Sequence, residues 1–248
     1  MNKHGNTLLI TGGGTGIGRA LAHRWHDAGN KVIITGRRQD ALDDAAAGRE
    51  GISTWVLDVT DADDVSHAIP LLLQTYPHLN VLVNNAGVFS PEDITSRRDL
   101  SDVVRMTETN FIAPVRLTDA LIDHLSAQPA AAIINVSSGL AFVPFPASPT
   151  YSATKAALHS YTAALRPLLK GKVEVIEIIP PQVQTELAPG QSQDPASMPL
   201  DAFADEVMTL LHSGTTPTEV CVERVRYFRE AEAKGQFDEA LQMLVQYS

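Results

Sequence analysis

The sequence predicts an α/β fold in which a doubly wound parallel sheet is flanked by helices on both faces. Two observations predict it. Short runs rich in β-branched residues alternate with longer helical stretches between residues 7 and 179, as in successive βαβ units. The short runs are also almost continuously apolar, which is typical of parallel strands buried on both faces. A length of 248 residues suits one such domain, and we expect it to span residues 1–248.

The elements follow in chain order from this alternation. Strands are predicted where short apolar runs are bounded by turn-forming residues, at 7–10, 31–35, 53–57, 81–83, 132–136, 173–179 and 219–222. Helices are predicted where the apolar period is close to 3.6, at 17–28, 41–47, 61–75, 100–126, 151–169, 202–212 and 225–247. Gly29 and Asn30 end the first helix, and Thr60 or Asp61 caps the third. Right-handed crossovers between the strands then give the doubly wound sheet.

Two segments depart from the alternation. Residues 180–200 are rich in Pro, Gln, Ser and Gly and lack apolar periodicity, which indicates a mobile loop over the site or, alternatively, a solvated connector. Residues 223–248 form a helical tail with an apolar stripe. That stripe needs a partner, which is either its own domain or a second copy of the chain.

Composition and charge argue against several classes of protein. The net charge of −10 without a long basic run disfavours nucleic acid and anionic membranes as partners. No run approaches the roughly 18 apolar residues of a membrane span, and Leu8-Leu9-Ile10 is too short for a secretory signal. The single cysteine, Cys221, permits no intrachain disulfide, so we expect a cytoplasmic protein. His23 and His26 lie three residues apart on the first helix, but no cysteine, third histidine or carboxylate cluster completes a metal site, and none is expected.

A glycine-rich turn, Thr11-Gly12-Gly13-Gly14-Thr15-Gly16-Ile17-Gly18, joins the first strand to the first helix. Glycines let the backbone approach a pyrophosphate, and the helix N-terminus offers free N–H groups and a positive dipole end. The spacing is not G-x-G-x-x-G, because Arg19 stands where that frame, begun at Gly14, needs its last glycine. The turn indicates a dinucleotide site, with a merely flexible turn as the alternative.

The end of the second strand distinguishes NAD from NADP. NAD-binding proteins usually place an acidic residue there, about 20 residues past the glycine turn, on the ribose 2′-hydroxyl. Here Arg37 and Arg38 follow the strand and no acid does. We therefore predict NADP(H), with Arg37 on the 2′-phosphate and Arg38 near the adenine or phosphate; a solvated basic turn is the alternative. Asp58, which ends the third strand, either accepts a hydrogen bond from the adenine amine or caps the next helix.

Tyr151 and Lys155 are four residues apart, so on a helix they face the same side. An ammonium beside a phenol lowers the phenol pKa from about 10, and the pair can then support acid–base catalysis near neutral pH. Such a pair is common by chance, but three polar positions accompany it. Ser138 and the run Asn84-Asn85-Ala86-Gly87 end strands, where ligands bind in this architecture. Asn110 interrupts a helix and either faces solvent or bonds a water in the site.

This set of motifs resembles the short-chain dehydrogenase/reductase family, whose fold is Rossmann-like. The resemblance covers residues 5–187 and includes the spacing between Ser138 and Tyr151. It implies that Tyr151 exchanges a proton with the substrate oxygen, that Lys155 lowers the Tyr151 pKa and binds the nicotinamide ribose, and that Ser138 hydrogen-bonds the substrate oxygen. It also implies that Asn110 holds a water that relays protons to Lys155. Together with the turn and the arginines, the residues expected to bind NADP(H) are Gly12, Gly14, Thr15, Gly16, Ile17, Gly18, Arg37, Arg38, Asp58, Val59, Asn85, Ala86, Gly87, Tyr151, Lys155, Pro181, Val183 and Thr185.

Two departures from the family pattern are similar to its DltE-like branch. Pro180-Pro181 replaces the usual Pro-Gly, and because proline fixes φ and lacks an N–H, the backbone beside the nicotinamide is expected to differ. The glycine-rich C-terminus of the family is replaced by Val220-Cys221-Val222 and the charged tail. The family resemblance further implies a homodimer or homotetramer, with the helices at 100–126 and 151–169 at the interface.

The sequence thus predicts an NADP(H)-dependent oxidoreductase that moves a hydride between the cofactor and a carbonyl or alcohol. The run 140–145 with Phe89, Leu187 and Met198 predicts an apolar pocket, which favours a small hydrophobic substrate. Arg97-Arg98 either meets an anionic substrate or is a solvated loop. A non-catalytic NADP(H)-binding sensor or scaffold is the alternative function. Epimerisation or dehydration on the same fold is a third, which the short C-terminus disfavours.

Overall fold

The computed structural model describes residues 1–246, and Tyr247 and Ser248 lie outside the described residues. One seven-stranded sheet has the order β3-β2-β1-β4-β5-β6-β7, and every neighbouring pair of strands is parallel. Because the chain changes direction across the sheet between β1 and β4, the sheet is doubly wound, as the sequence predicts. The strands are β1 (Thr7–Thr11), β2 (Lys31–Gly36), β3 (Ile52–Val56), β4 (Val81–Asn84), β5 (Ala132–Val136), β6 (Glu174–Ile179) and β7 (Glu219–Cys221).

The helices cover both faces of the sheet because successive strand residues point to opposite sides. The helices are α1 (Gly16–Asp27), α2 (Gln39–Ala46), α3 (Ala62–Thr75), α4 (Ser101–Thr107), α5 (Ala113–Ala127), α6 (Pro149–Leu169), α7 (Leu200–His212), α8 (Arg226–Glu230) and α9 (Phe237–Val245). Leu8 and Ile10 pack with α1, α2 and α7, whereas Leu9 between them packs with α3 and α5. No helix among the described residues combines the length and apolarity that a membrane span requires.

The long helical region predicted at 100–126 is continuous but not uniform. A π-helical turn, Glu108–Ile112, separates α4 from α5. Helix α6 begins at Pro149, two residues before the predicted start, because proline suits the first turn of a helix, where its missing N–H is not needed. Both differences affect residues of the site, since Asn110 lies in the π-turn and Tyr151 in the first turn of α6.

The segment at 180–200 is a loop, and hydrogen bonds join its two ends. The amide of Gln184 donates to the Met198 carbonyl at 2.8 Å, and the amide of Met198 donates to the Gln182 carbonyl at 2.8 Å. Val183 and Met198 form an isolated parallel bridge and are both buried. The loop is therefore anchored to the core at both ends, and Leu187 and its neighbours lie on the exposed stretch between them.

The prediction of a single helix over residues 225–247 is wrong. The tail consists of α8 and α9, separated by a turn in which Gly235 has a φ of +67°, a conformation that ends helices. Ala231 and Ala240 are buried against Val143 together with aromatic and leucine side chains of the tail. The apolar stripe therefore packs on its own chain, on the segment that follows β5.

Candidate active site

The glycine turn is set by close contacts that a side chain would prevent. Gly12 has a φ of +64° and Gly16 a φ of +51°, in the left-handed region that glycine adopts without strain. A Cβ atom at Gly18 would lie 2.3 Å from the Gly12 carbonyl oxygen and 2.5 Å from Nδ2 of Asn85. Helix α1 can therefore begin directly behind the turn, with its N-terminus facing the cleft.

A hydrogen-bonded brace holds this turn to the end of β4. Asn85 Nδ2 donates to the carbonyl oxygens of Thr11 at 2.9 Å and Gly12 at 3.3 Å. In return, the Thr11 hydroxyl oxygen accepts from the amides of Asn85 and Ala86, both at 3.0 Å. The sequence places Asn85 in the cofactor site but assigns no role to the Thr11 hydroxyl. Only the adjacency of β1 and β4 brings the two residues together.

Half of the predicted cofactor residues line one cleft of about 200 Å³ at the carboxyl ends of the strands. Thr15 precedes α1 there, and its side chain makes no capping hydrogen bond with the helix, so its hydroxyl is available to a ligand. Sequence reasoning missed the other lining residues, which are Gly36, Ala41, Leu42, Leu57, Thr60, Val88 and Thr109. The predicted residues in the lining are Gly12, Gly14, Thr15, Arg37, Arg38, Asp58, Val59, Ala86 and Gly87.

The basic end of the cleft agrees with a phosphate site. Arg37 and Arg38 are exposed, and neither guanidinium has an ion pair or hydrogen bond among residues 1–246. Asp58 is not the helix cap, because Asp61 caps α3 by accepting from two amides of its first turn. One Asp58 oxygen accepts from the amide and hydroxyl of Thr60 at 3.0 and 2.7 Å. The Asp58 carboxylate is thereby fixed at the cleft wall.

The loop after β6 approaches the glycine turn. The Thr185 methyl group lies 3.4 Å from the position of a Cβ atom on Gly16. Gln191 Nε2 donates to the Val183 carbonyl at 2.6 Å and to the Thr185 hydroxyl at 3.3 Å. The Pro180 carbonyl accepts from the amide of Gly139, which ties the predicted Pro180-Pro181 departure to the residue after Ser138. Thr185 thus lies beside the glycine turn, whereas Val183 is buried in the core, and their contacts with a cofactor stay predictions.

The structure brings together the three predicted groups Ser138, Tyr151 and Lys155, all of them buried. Burial raises the pKa of Tyr151 to about 12, and a hydrogen bond with Ser138 opposes that rise. Ser138 is itself held, since its hydroxyl oxygen accepts from the Leu140 amide at 3.1 Å. A hydroxyl and a phenol therefore face one point at the carboxyl end of β5, where a substrate oxygen could receive two hydrogen bonds.

Lys155 lies one helical turn below Tyr151. Its Nζ is 5.7 Å from the centre of the Tyr151 ring and donates to the Val136 carbonyl oxygen at 2.9 Å. Burial lowers the pKa of Lys155 to about 8, and the charge of Glu177 opposes this. Because the ammonium is directed at a carbonyl rather than at the phenol oxygen, the lowering of the Tyr151 pKa by Lys155 stays a prediction.

Asn110 joins the π-turn to the strand-end loop and to α6. Its side chain accepts from the Val88 amide at 2.8 Å, donates to the Val88 carbonyl at 2.9 Å, and donates to the Thr154 hydroxyl at 3.2 Å. The amide is thus fully engaged and does not face solvent. Its main-chain carbonyl cannot receive the α-helical bond from residue 114, since that residue is proline and has no N–H. The water that the resemblance places on Asn110 stays a prediction.

The predicted apolar pocket is partly wrong. Val143 and Met198 are buried in the core and do not line an open pocket. Phe89 stacks edge-on against Tyr151 with ring centres 5.3 Å apart, and Leu187 is exposed in the 180–200 loop. Arg98 is bound to the buried Glu92 and to Asp102, so it holds a loop rather than meeting a substrate.

These features fit a dinucleotide. A side chain could not occupy Gly12 or Gly18 without displacing backbone, and the first turn of α1 opens on the cleft. At its far end stand two guanidinium groups that have no partner in the described part of the chain. The residues that would hold the pyrophosphate are those of the turn 12–18. Arg37 and Arg38 would hold the 2′-phosphate, while Asn85, Ala86 and Gly87 would line the nucleoside.

Comparisons with known proteins agree with this geometry. The family model described as short chain dehydrogenase matches residues 6–196. The chain is 44% identical over 191 residues to the uncharacterized oxidoreductase DltE of Bacillus subtilis strain 168, covering 75% of each chain. It is 33% identical over 244 residues to sulfoacetaldehyde reductase 2 of Chromohalobacter salexigens, covering 93% of this chain and 96% of that one.

A solved structure also shares the fold. A short chain dehydrogenase from Burkholderia cenocepacia J2315, described in complex with NADP, superposes with a TM-score of 0.81 at 24% identity, covering 97% of this chain and 98% of that one. The motifs, the sheet topology and these matches identify the chain as a member of the short-chain dehydrogenase/reductase family of oxidoreductases, with features of its DltE-like branch.

Proposed function

We propose that this enzyme is an NADP(H)-dependent reductase or dehydrogenase that interconverts a small carbonyl compound and its alcohol. The observation that carries the proposal is the convergence of buried Ser138, Tyr151 and Lys155 beside a cleft that ends in two arginines, neither paired with any residue that the structure describes. A protein that only binds NADP(H) has no need of a buried phenol and ammonium, whose burial costs free energy. The sensor or scaffold function is therefore the weaker alternative.

The residues divide the chemistry as follows. When bound, the nicotinamide supplies or accepts the hydride. In the reductive direction, the Tyr151 hydroxyl donates a proton to the carbonyl oxygen while Ser138 hydrogen-bonds the same oxygen. Lys155, as a cation, favours the phenolate that remains after the transfer. Asn110 holds the Val88 loop against α6, which keeps the wall of the cleft in register with the catalytic helix.

The substrate proposal keeps a small hydrophobic carbonyl first, because the apolar ring of Phe89 packs against the ring of Tyr151. A sulfonated aldehyde is the second candidate. It is favoured by the 33% identity to a sulfoacetaldehyde reductase along almost the whole chain. The exposed Arg97 and Arg105 are cations on the loop and helix that follow β4.

The test of the function is the change in absorbance at 340 nm with NADPH and then NADH, across ketones, aldehydes and sulfoacetaldehyde. We expect turnover with NADPH, and a loss of about 10²–10⁴-fold in Tyr151→Phe. Tyr161→Phe is the matched control, since Tyr161 lies on the same helix and packs on Phe111 instead. Tight NADPH binding without turnover of any substrate would favour the sensor.

The cofactor preference has a separate test. Arg37→Ala should weaken NADPH binding by about tenfold or more, because it removes a charge-assisted hydrogen bond to phosphate, while NADH binding stays unchanged. Arg97→Ala is the control, since Arg97 is equally exposed but does not line the cleft. Equal losses for both cofactors would contradict the assignment of Arg37.

A further inference from the structure

The loop that follows β4, residues 85–100, is bonded to the beginning of helix α6. The Glu92 amide donates to the Ala147 carbonyl at 2.8 Å. The Ser148 hydroxyl, which belongs to a fully buried residue, donates to the Ser90 carbonyl at 2.7 Å. The loop therefore lies directly against the residues from which the helix starts.

Helix α6 receives its N-terminal cap from this loop. Ser148, the residue before the first turn, makes no side-chain hydrogen bond to the helix, and Pro149 has no N–H to be satisfied. The Thr150 amide instead donates to Glu92 Oε2 at 2.7 Å, and the Thr150 hydroxyl donates to Glu92 Oε1, also at 2.7 Å. A carboxylate that is 58 residues away in the chain thus takes the place of a capping side chain.

The Glu92 carboxylate is itself held in place. Its side chain is fully buried, and Arg98 forms an ion pair with Oε1. Arg98 also donates to both oxygens of Asp102, at 2.8 and 2.7 Å, and Asp102 lies in the first turn of α4. A buried carboxylate is costly unless donors surround it, and here a guanidinium, an amide and a hydroxyl do so. Glu92 thereby links α4 to α6 through a fixed set of partners.

The capped turn carries Tyr151, the residue that directly follows Thr150. The Tyr151 ring packs on Phe89 of the same loop, with ring centres 5.3 Å apart, and its hydroxyl forms a hydrogen bond with Ser138. The direction of a helical side chain depends on the backbone of its own turn, because the Cα–Cβ bond has a fixed tilt relative to the helix axis. Loss of the cap would let the first turn fray and would move the phenol with it.

We propose that Glu92 is a positioning residue of the active site, which caps α6 from the loop after β4 and so fixes the place of the Tyr151 phenol. The inference rests on the proposed function for its catalytic meaning. The Glu92 oxygens are bonded to Thr150 and Arg98, so the residue acts through the helix and takes no part in the proton transfer. Misplacement of a reacting group by about 1 Å can slow a reaction about 10²-fold.

Two substitutions separate the reach of Glu92 from its charge. Glu92→Gln keeps the length of the side chain and an oxygen for the Thr150 amide but loses the charge. Glu92→Asp keeps the charge but is one methylene shorter, so its oxygens fall short of the helix. With saturating NADPH and the carbonyl substrate of highest kcat/KM, we expect kcat to fall about 10–100-fold in Glu92→Asp and less than about threefold in Glu92→Gln. KM for NADPH should stay near the wild-type value in both.

Asp93→Ala is the matched control. Asp93 is the adjacent acid of the same loop, but its carboxylate bonds within the loop, where it accepts from the amide and hydroxyl of Thr95 at 2.9 and 2.6 Å. Its removal should leave kcat unchanged. An equal loss of kcat in Asp93→Ala and Glu92→Asp would overturn the inference, as would an unchanged kcat in Glu92→Asp. A larger loss in Glu92→Gln than in Glu92→Asp would also overturn it, since charge rather than reach would then matter.

The partner on the helix gives an independent check. Thr150→Val removes the hydroxyl and keeps the amide, so kcat should fall about three- to tenfold, the effect of one hydrogen bond. In the double variant with Glu92→Asp, kcat should equal that of Glu92→Asp alone, because both changes break one contact. Losses that multiply would contradict the inference. If Glu92→Asp does not fold, Thr150→Val decides by itself, and a wild-type kcat would then refute the role of Glu92.

A spectroscopic measurement keeps this inference apart from the proposed function. In protein with ¹³C-labelled tyrosine rings, the signal of Tyr151 is the one that disappears in Tyr151→Phe. Without cofactor, its chemical shift should change in Glu92→Asp but not in Glu92→Gln or Asp93→Ala, because the ring of Phe89 acts on it only while both rings keep their geometry. A shifted signal in a protein without turnover would defeat the proposed function alone. Turnover with a wild-type kcat and an unshifted signal in Glu92→Asp would defeat the role of Glu92 alone.

Discussion

At the scale of single residues, the glycine turn allows a sharp test of close packing. Gly18→Ala places a methyl group 2.3 Å from a backbone oxygen, so the turn must shift, and we expect about 1–3 kcal/mol of destabilisation and weaker NADPH binding. Gly36→Ala is the control, because Gly36 lines the same cleft and its nearest neighbour would be 3.7 Å away. Thermal unfolding and NADPH fluorescence measure the two effects. Equal behaviour of the two variants would contradict the role given to Gly18.

At neutral pH the wild-type protein should have a lower free energy of unfolding than Lys155→Met, which lacks the buried charge. Its pKa is near 8 when folded and near 10.5 when unfolded, so between these values the unfolded chain binds one more proton. The free energy of unfolding therefore rises with pH in this window, by about 3 kcal/mol in total. Below pH 8 the full cost of burying the charged lysine is present. The unfolding free energy of the wild type relative to Lys155→Met should climb from pH 8 to 10.5. A flat difference would show that Lys155 is not desolvated.

Individual site residues were predictable where one residue type carries the chemistry. Tyr151, Lys155, Ser138 and the glycines stand in fixed local spacing, and the structure places them together. Glu92 and the Thr11 hydroxyl were not predicted, because each acts through a partner on another strand or helix, and spacing along the chain does not contain that pairing.

At the scale of elements, the tail and the segment after β5 depend on each other. A Cβ atom on Gly139 would lie 2.7 Å from Val225, and Phe142 lies between the His159 ring at 4.7 Å and the Arg229 guanidinium at 4.6 Å. The tail was predicted as one helix because its apolar period is nearly unbroken. The turn at Gly235 instead lets α8 and α9 both cover Val143.

Removal of residues 237–248 should therefore destabilise the protein and disturb the site next to Ser138. The loss of apolar cover over Val143 should cost about 3 kcal/mol in unfolding free energy, as two or three partly buried side chains are removed. Met243→Asp is the control, since Met243 is exposed on α9 and should change little. Denaturant unfolding measures the difference, and an unaltered midpoint after truncation would contradict the packing.

At the scale of the whole molecule, the layer architecture was predictable from the alternation of strands and helices. Each strand is short and apolar, and each crossover has a preferred hand, so few topologies compete. The partners of each helix were less predictable. The face of α6 that meets the sheet is polar because it packs on polar side chains of neighbouring strands, which are Asn84, Asn135, Glu177 and Glu219. These residues adjoin one another only when β4 to β7 stand side by side.

The predicted homodimer or homotetramer has a candidate surface on α4. Ile94, Leu100 and Val104 are 67%, 56% and 60% exposed, on and just before the helix that the family resemblance places at an interface. We expect Val104→Glu to reduce the mass measured by light scattering to that of a smaller species, because a charge would enter an apolar contact. Leu71→Glu, at an exposed leucine of α3, should leave the mass unchanged. A monomeric wild type would refute the assembly.

The hydrogen bonds and ion pairs between α6 and the sheet limit the rotation of that helix. Apolar contact has no preferred direction, so an apolar interface lets a helix rotate or slide on the sheet. A hydrogen bond, by contrast, weakens steeply when its donor–acceptor angle departs from linearity. Thr162 and Arg166 are bound to the sheet about three to four turns along the helix from Tyr151. The orientation of the Tyr151 phenol therefore depends on hydrogen bonds made far along the same helix. An apolar substitution at Thr162 or Arg166 would misalign the phenol without contacting the substrate.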